Sequence, residues 1–124
     1  MQQHARRALI GLIGVGLATT GVWTAYAARE QGQVREITVV GNQFTFAPAR
    51  IEVQKDDLVR IKFTAEDVAH SFTVDAPYRI SKRAASGQAV VFEFRADQPG
   101  RFTYYCSLTQ DDRCKQMKGE LVVK

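Results

Sequence analysis

Four side chains in the second half of this 124-residue chain carry soft donor atoms: His70, Cys106, Cys114 and Met117. His70 is the one histidine outside the extreme N-terminus, and Cys106 and Cys114 are the only cysteines. Imidazole, thiolate and thioether are the donors that select copper or zinc over hard cations. Their spacing groups three of them. The run Gly100-Arg101-Phe102-Thr103-Tyr104-Tyr105 delivers Cys106, a polar loop from Ser107 to Gln116 carries Cys114, and Met117 stands just before the apolar Leu121-Val122-Val123 run.

The segments that must position these donors read as strands. Ile37 and Val39 alternate with Thr38, Phe44 and Phe46 with Gln43 and Thr45, and Ile51 and Val53 with Glu52. Val59, Ile61 and Phe63 alternate with Arg60 and Lys62, and the pattern returns in Phe72/Val74, Val90/Phe92/Phe94, Phe102/Tyr104 and Leu121/Val123. Turn formers separate the runs at Gly41-Asn42, Ala47-Pro48, Lys55-Asp56-Asp57 and Asp97-Gln98-Pro99-Gly100, and Asp75 to Gly87 reads as one long polar loop. About seven or eight short strands at this spacing predict an antiparallel sandwich or barrel. Residues at i, i+2 and i+4 share a face of a strand. His70 therefore lies on the core-facing set with Phe72 and Val74, and Cys106 lies with Phe102 and Tyr104. Rigid strand ends and a tight loop make a preorganised pocket of the kind outer-sphere electron transfer favours.

In their local context these residues resemble the cupredoxin superfamily, and most closely the soluble copper domain of cytochrome c oxidase subunit II. Asp67-Val68-Ala69-His70-Ser71-Phe72 is similar to that family's Asp-Val-x-His-Ser-Phe motif. Tyr78-Arg79-Ile80 matches its Tyr/Phe-Arg-Ile element, and Pro99-Gly100 its turn. The family ends in Cys-x3-Cys-x3-His-x2-Met, and the frame here has the same length from Cys106 to Met117. Gln110 stands in the position of the second cysteine, and Cys114 in that of the histidine. The resemblance, which runs from about Glu36 to Lys124, implies an all-β, cupredoxin-like Greek-key sandwich or barrel. It also implies copper, a redox partner protein or respiratory oxidase, and a periplasmic setting. With His70, Cys106, Cys114 and Met117 as the ligand set, it implies at most one copper ion per chain and no dinuclear centre.

Other readings of the same residues stay open. An exported protein with two cysteines usually joins them, which makes a metal-free accessory or interaction domain with a Cys106–Cys114 disulfide the alternative. Donors sharing one tetrahedral ion lie only roughly 3.5 to 4 Å apart, and bridged cysteines have Cβ atoms about 3.8 Å apart, so proximity alone does not separate the two. An isolated His70 reads equally as a core histidine bonded to backbone, and Met117 as a gap filler. Gln110 reads as a solvated loop residue, and Asp111-Asp112-Arg113 as a solvated loop tip or a docking surface. Catalysis finds little support: there is no Ser/His/Asp set and no glycine-rich phosphate loop. The formal charge of +4 is spread among acidic residues with no basic stripe, so nucleic-acid binding is not indicated.

The N-terminal part has a different composition. Met1 to Arg7 is polar and basic, and the 21 residues from Ala8 to Ala28 carry no charge. As a helix they would reach about 31 Å, close to the thickness of a bilayer core. Residues 1–29 thus read as a membrane anchor or, with Ala25-Tyr26-Ala27 fitting a small-x-small cleavage site, as a signal peptide. Residues 30–35 read as a linker and 36–124 as the domain, of a size that suits one small sandwich core. Arg6 and Arg7 outweigh the lone Arg29 beside Glu30, which keeps the N-terminus in the cytoplasm and sends the domain outward. Protease added to spheroplasts is expected to degrade the domain; protection by an intact inner membrane would contradict this topology.

Overall fold

The period-two runs become strands in the computed structural model, which describes Gly16 and residues 32–124, except that Gln43 and Phe44 form a turn. The expected anchor or signal lies, Gly16 aside, outside the described residues. Among those described, no helix is long and apolar enough to cross a membrane. The strands are β1 (Val34–Asn42), β2 (Thr45–Ala47), β3 (Arg50–Val53), β4 (Leu58–Ala65), β5 (His70–Val74), β6 (Ile80–Ala84), β7 (Ala89–Arg95), β8 (Gly100–Tyr105) and β9 (Lys118–Val123). β1 begins two residues inside the stretch read as a linker. A 3-10 turn, Asp112–Gln116, interrupts the last connection.

Two sheets face each other, in the orders β2-β1-β4-β7 and β3-β9-β8-β5-β6. The expected all-β sandwich is present, but it is not wholly antiparallel, because β1 pairs with β4, and β3 with β9, in parallel. The reason is connectivity. After β2 the chain crosses to the other sheet for β3 and returns as β4, so β4 reaches β1 by a crossover instead of a hairpin. The loop expected over Asp75–Gly87 holds β6, whose polar Ser81-Lys82-Arg83 carries no period-two signal. β6 is an edge strand, exposed except at Ile80 and Ala84, and backbone pairing to β5 defines it.

The inward faces meet in one core. Val59, Ile61, Phe63 and Ala65 of β4 point in while Lys62 stays outside. Phe72 of β5 stacks on Tyr104 of β8, with ring centroids 4.8 Å apart, and Phe46 meets Tyr104 edge-on at 5.1 Å. Such aromatic pairs add about 0.5–1.5 kcal/mol each beyond their burial. Tyr104 lies opposite Gly119 in the β8–β9 register, and its ring occupies the space a Cβ at Gly119 would fill. The Tyr104 hydroxyl donates to the Pro48 carbonyl at 2.7 Å, and burial pushes its pKa up.

The end of the sandwich away from the cysteines is held by one buried carboxylate. Asp57 is 2% exposed and accepts from Gln33 N (2.9 Å), Gln54 N (2.9 Å) and Arg35 Nε (3.2 Å). It ties the entry to β1 to the β3–β4 turn. Burial raises its pKa, but the two backbone N–H bonds and the Arg35 guanidinium outweigh that and leave it lowered from 3.8. A lowered folded-state pKa contributes stability above the unfolded value, which is lost as pH falls through the folded one. Asp57→Asn should cost about 1.5–3 kcal/mol at neutral pH, and the gap between variant and wild type should close on acidification below pH 3.8. Thermal melts of both proteins across that range test this; a gap unchanged with pH would contradict it.

Candidate metal centre

All four soft donors come to one end of the sandwich, His70 and Cys106 on the inward side that strand parity gives them and Cys114 and Met117 on the loop between β8 and β9. His70 opens β5 and is fully buried, and Cys106 follows the last residue of β8 and is 4% exposed. The 3-10 turn presents Cys114 inward. Asp111 caps that turn by accepting from Arg113 N, Cys114 N donates to Asp111 O at 3.1 Å, and Met117 N donates to Cys114 O at 3.1 Å. Cys106 N then donates to Met117 O at 3.2 Å, so both ends of the cysteine loop are fastened together.

The ligand atoms of His70, Cys106 and Cys114 all lie within 4.8 Å of one another. Both cysteines are buried free thiols. Burial, reinforced by the neighbouring Cys106 thiol and by Asp111, pushes the Cys114 thiol up to about 11, with Arg113 acting against the shift. The His70 ring is oriented by Asp67, whose Oδ1 lies 2.7 Å from Nε2. Partial burial raises the Asp67 pKa, but the N–H groups of Val68 and Gln43 and the His70 ring hold it at about 2. With Nε2–H donating to this carboxylate, Nδ1 keeps a bare lone pair, and it is buried without any hydrogen-bond partner. An unpartnered buried nitrogen is costly unless something binds it. One imidazole and two sulfurs, buried together, fit a soft metal ion such as copper.

Met117 is fully buried, and its methyl end shares a neighbour with the histidine. A Cβ placed on Gly41 would sit 3.0 Å from Met117 Cε, 3.1 Å from His70 Cδ2 and 3.2 Å from Phe63 Cε2. Gly41 belongs to β1, and the Gly41-Asn42 pair expected as a turn is strand. The glycine is needed there for close packing on His70. Gln110 is exposed and lines a depression of about 220 Å³ with Phe44, Val68, Ala69, Leu108, Asp111 and Cys114.

Three features of the site carried no clear signal in the sequence. Ser71 and Thr73 occupy outward positions of β5 yet are buried, because the segment after Cys106 folds onto them. Ser71 Oγ lies 3.2 Å from Thr73 Oγ1 and 3.0 Å from Ser107 Oγ, and accepts from Ser107 N at 2.7 Å. β5 and β8 pair only at Thr73–Tyr105 and Val74–Tyr104, so hydroxyls continue the strand link where the ladder stops, beside both His70 and Cys106. Phe44 packs edge-on against His70, with centroids 5.4 Å apart. Arg113, expected as part of a free loop tip, pairs bidentately with Asp111 and places its guanidinium 4.3 Å from the centre of the Phe44 ring.

The chain belongs to the cupredoxin-like domain family, whose description matches residues 15–123. No match is found among curated proteins. Solved structures with the same fold include auracyanin A, a "blue" copper protein from Chloroflexus aurantiacus, at 19% identity and a TM-score of 0.61 over 73% of this chain and 99% of that one. The periplasmic domain of cytochrome oxidase subunit II from Bradyrhizobium japonicum is 20% identical, with a TM-score of 0.62 over 73% of this chain and 83% of its own. A chain of a heme-copper terminal oxidase dimer is 16% identical, with a TM-score of 0.63 over 77% and 71%.

The Asp67–His70 pair makes a direct spectroscopic prediction. In the reduced metal-free protein, ring nitrogen–proton NMR correlations should show the His70 proton on Nε2. Asp67→Ala should abolish that preference and, by freeing the Gln43 amide as well, lower stability by about 1–3 kcal/mol. A wild-type ring carrying its proton on Nδ1 alone would contradict the arrangement.

Proposed function

We propose that this protein is an exported, membrane-anchored copper-binding domain, residues 36–124, that transfers electrons or handles copper at a respiratory oxidase. The observation that carries this reading is the buried His70–Cys106–Cys114 cluster with its orphaned Nδ1, in a chain of the cupredoxin-like family. His70, Cys106 and Cys114 hold one ion, and Met117 serves as a weak further donor. Bound copper supplies one-electron redox chemistry. The protein contributes a carboxylate that orients the imidazole, a capped turn that orients Cys114, and a core that keeps water out. Two thiolates and one imidazole favour the cuprous state. A set closed by four protein ligands leaves no open position for substrate, which suits a carrier better than an enzyme.

Similarity to the subunit II periplasmic domain supports a periplasmic setting and an oxidase or its redox carrier as partner. The uncharged stretch from Ala8 to Ala28 supports the anchor.

Copper titration of the reduced protein with metal analysis is the test. The wild type should take up one copper per chain, Cys106→Ser none, and Met117→Leu one with an altered reduction potential. Cys114→His should give a stronger visible band than the natural protein. A stoichiometry near two would refute the single-ion site. No uptake by the reduced wild type, with Cys106→Ser less stable by about 2–5 kcal/mol, would establish the disulfide-stabilised, metal-free domain in its place.

A further inference from the structure

The hairpin between β1 and β2 is built against backbone preference. Its two loop residues, Gln43 and Phe44, have φ values of 50° and 60°. Two-residue loops with both φ positive belong to Asn, Asp and above all Gly, and a bulky residue in that region is an outlier. Strain of this kind persists only where the surroundings over-determine it, and it clusters at functional positions.

The surroundings here do over-determine it. Asp67 Oδ2 accepts from Gln43 N at 2.8 Å while its other oxygen holds His70. The Phe44 ring meets His70 on one side and the Arg113 guanidinium on another, and Arg113 is itself locked to Asp111. Phe44 is also the wall common to two surface depressions. One, of about 220 Å³, has Cys114 in its lining; the other, of about 550 Å³, is lined by Asp67 and Arg113 among others.

We propose that Phe44 is the plug that closes the His70–Cys114 site to small solutes, and that Arg113 is the latch that seats it. Its purpose rests on the metal-site reading above, since a plug at this point limits the entry of chelators, thiols and oxidants to the ion. Its test does not require metal. The strained hairpin supplies the discriminating feature. Replacing Phe44 by glycine relieves the backbone while removing the ring, so local stability and site protection should move in opposite directions. A substitution that only loosened the fold would raise labelling together with a lowered midpoint.

The experiment uses the full chain, reduced and metal-free, and measures the rate of cysteine alkylation by iodoacetamide beside the thermal midpoint. Phe44→Gly should label at least several-fold faster than wild type with an unchanged or higher midpoint. Arg113→Gln should label at an intermediate rate, and Val68→Ala, at the rim of the same depression, at the wild-type rate. Wild-type labelling in Phe44→Gly, or faster labelling accompanied by a lower midpoint, would overturn the proposal. Should Phe44→Gly fail to fold, the proposal fails, and Arg113→Gln labelling at the wild-type rate would overturn the latch separately. If the wild type binds no copper but the labelling order holds, the metal reading falls while the plug stands.

Discussion

One carboxylate organises the site end of this molecule. Asp67 accepts from the His70 ring with one oxygen and from the Gln43 amide with the other, and its backbone carbonyl accepts from Ser86 Oγ. A single side chain therefore fixes the tautomer of the histidine, the seat of the β1–β2 hairpin and, through that hairpin, the ring laid against the same histidine. The circuit Asp67–His70–Phe44–Gln43 closes on itself. Because it is closed, none of its members moves without disturbing the others. That property suits the proposed redox role, in which a change of charge should meet a frame that stays in place.

The two thiols are placed by a different device. Cys106 leaves β8 just where the β5–β8 ladder stops, and the hydroxyls of Ser71, Thr73 and Ser107 hold the diverging chain to β5. Cys114 arrives on a turn capped by Asp111 and returned to Cys106 through the Met117 carbonyl. Neutral hydroxyls and backbone groups thus position Cys106, whereas the turn that carries Cys114 is capped by the Asp111 carboxylate, itself paired with Arg113. The imidazole meets its own carboxylate, Asp67, directly. A carboxylate behind an imidazole fixes the orientation of the ring. At the far end, Asp57 secures the sheets independently of these groups, so the fold and the site draw on separate polar anchors.

His70 and Cys106 were legible as inward-facing in the sequence alone, because period-two burial is a local property that a strand imposes on its own residues. The sandwich, the family and the length of the frame from Cys106 to Met117 were legible for related reasons, resting on alternation, turn formers and short contiguous motifs. What only the tertiary structure decided lies in contacts between distant segments. The Ser71–Ser107 bond spans 36 positions and the Gln43–Asp67 bond spans 24. The parallel pairing of β1 with β4, the edge strand hidden in Asp75–Gly87, the gathering of Cys114 with Cys106 and His70, and the seating of Phe44 between His70 and Arg113 all depend on how the two sheets close. Alternation records which side of a strand faces inward, but it carries no information about which residue of another strand will be waiting there.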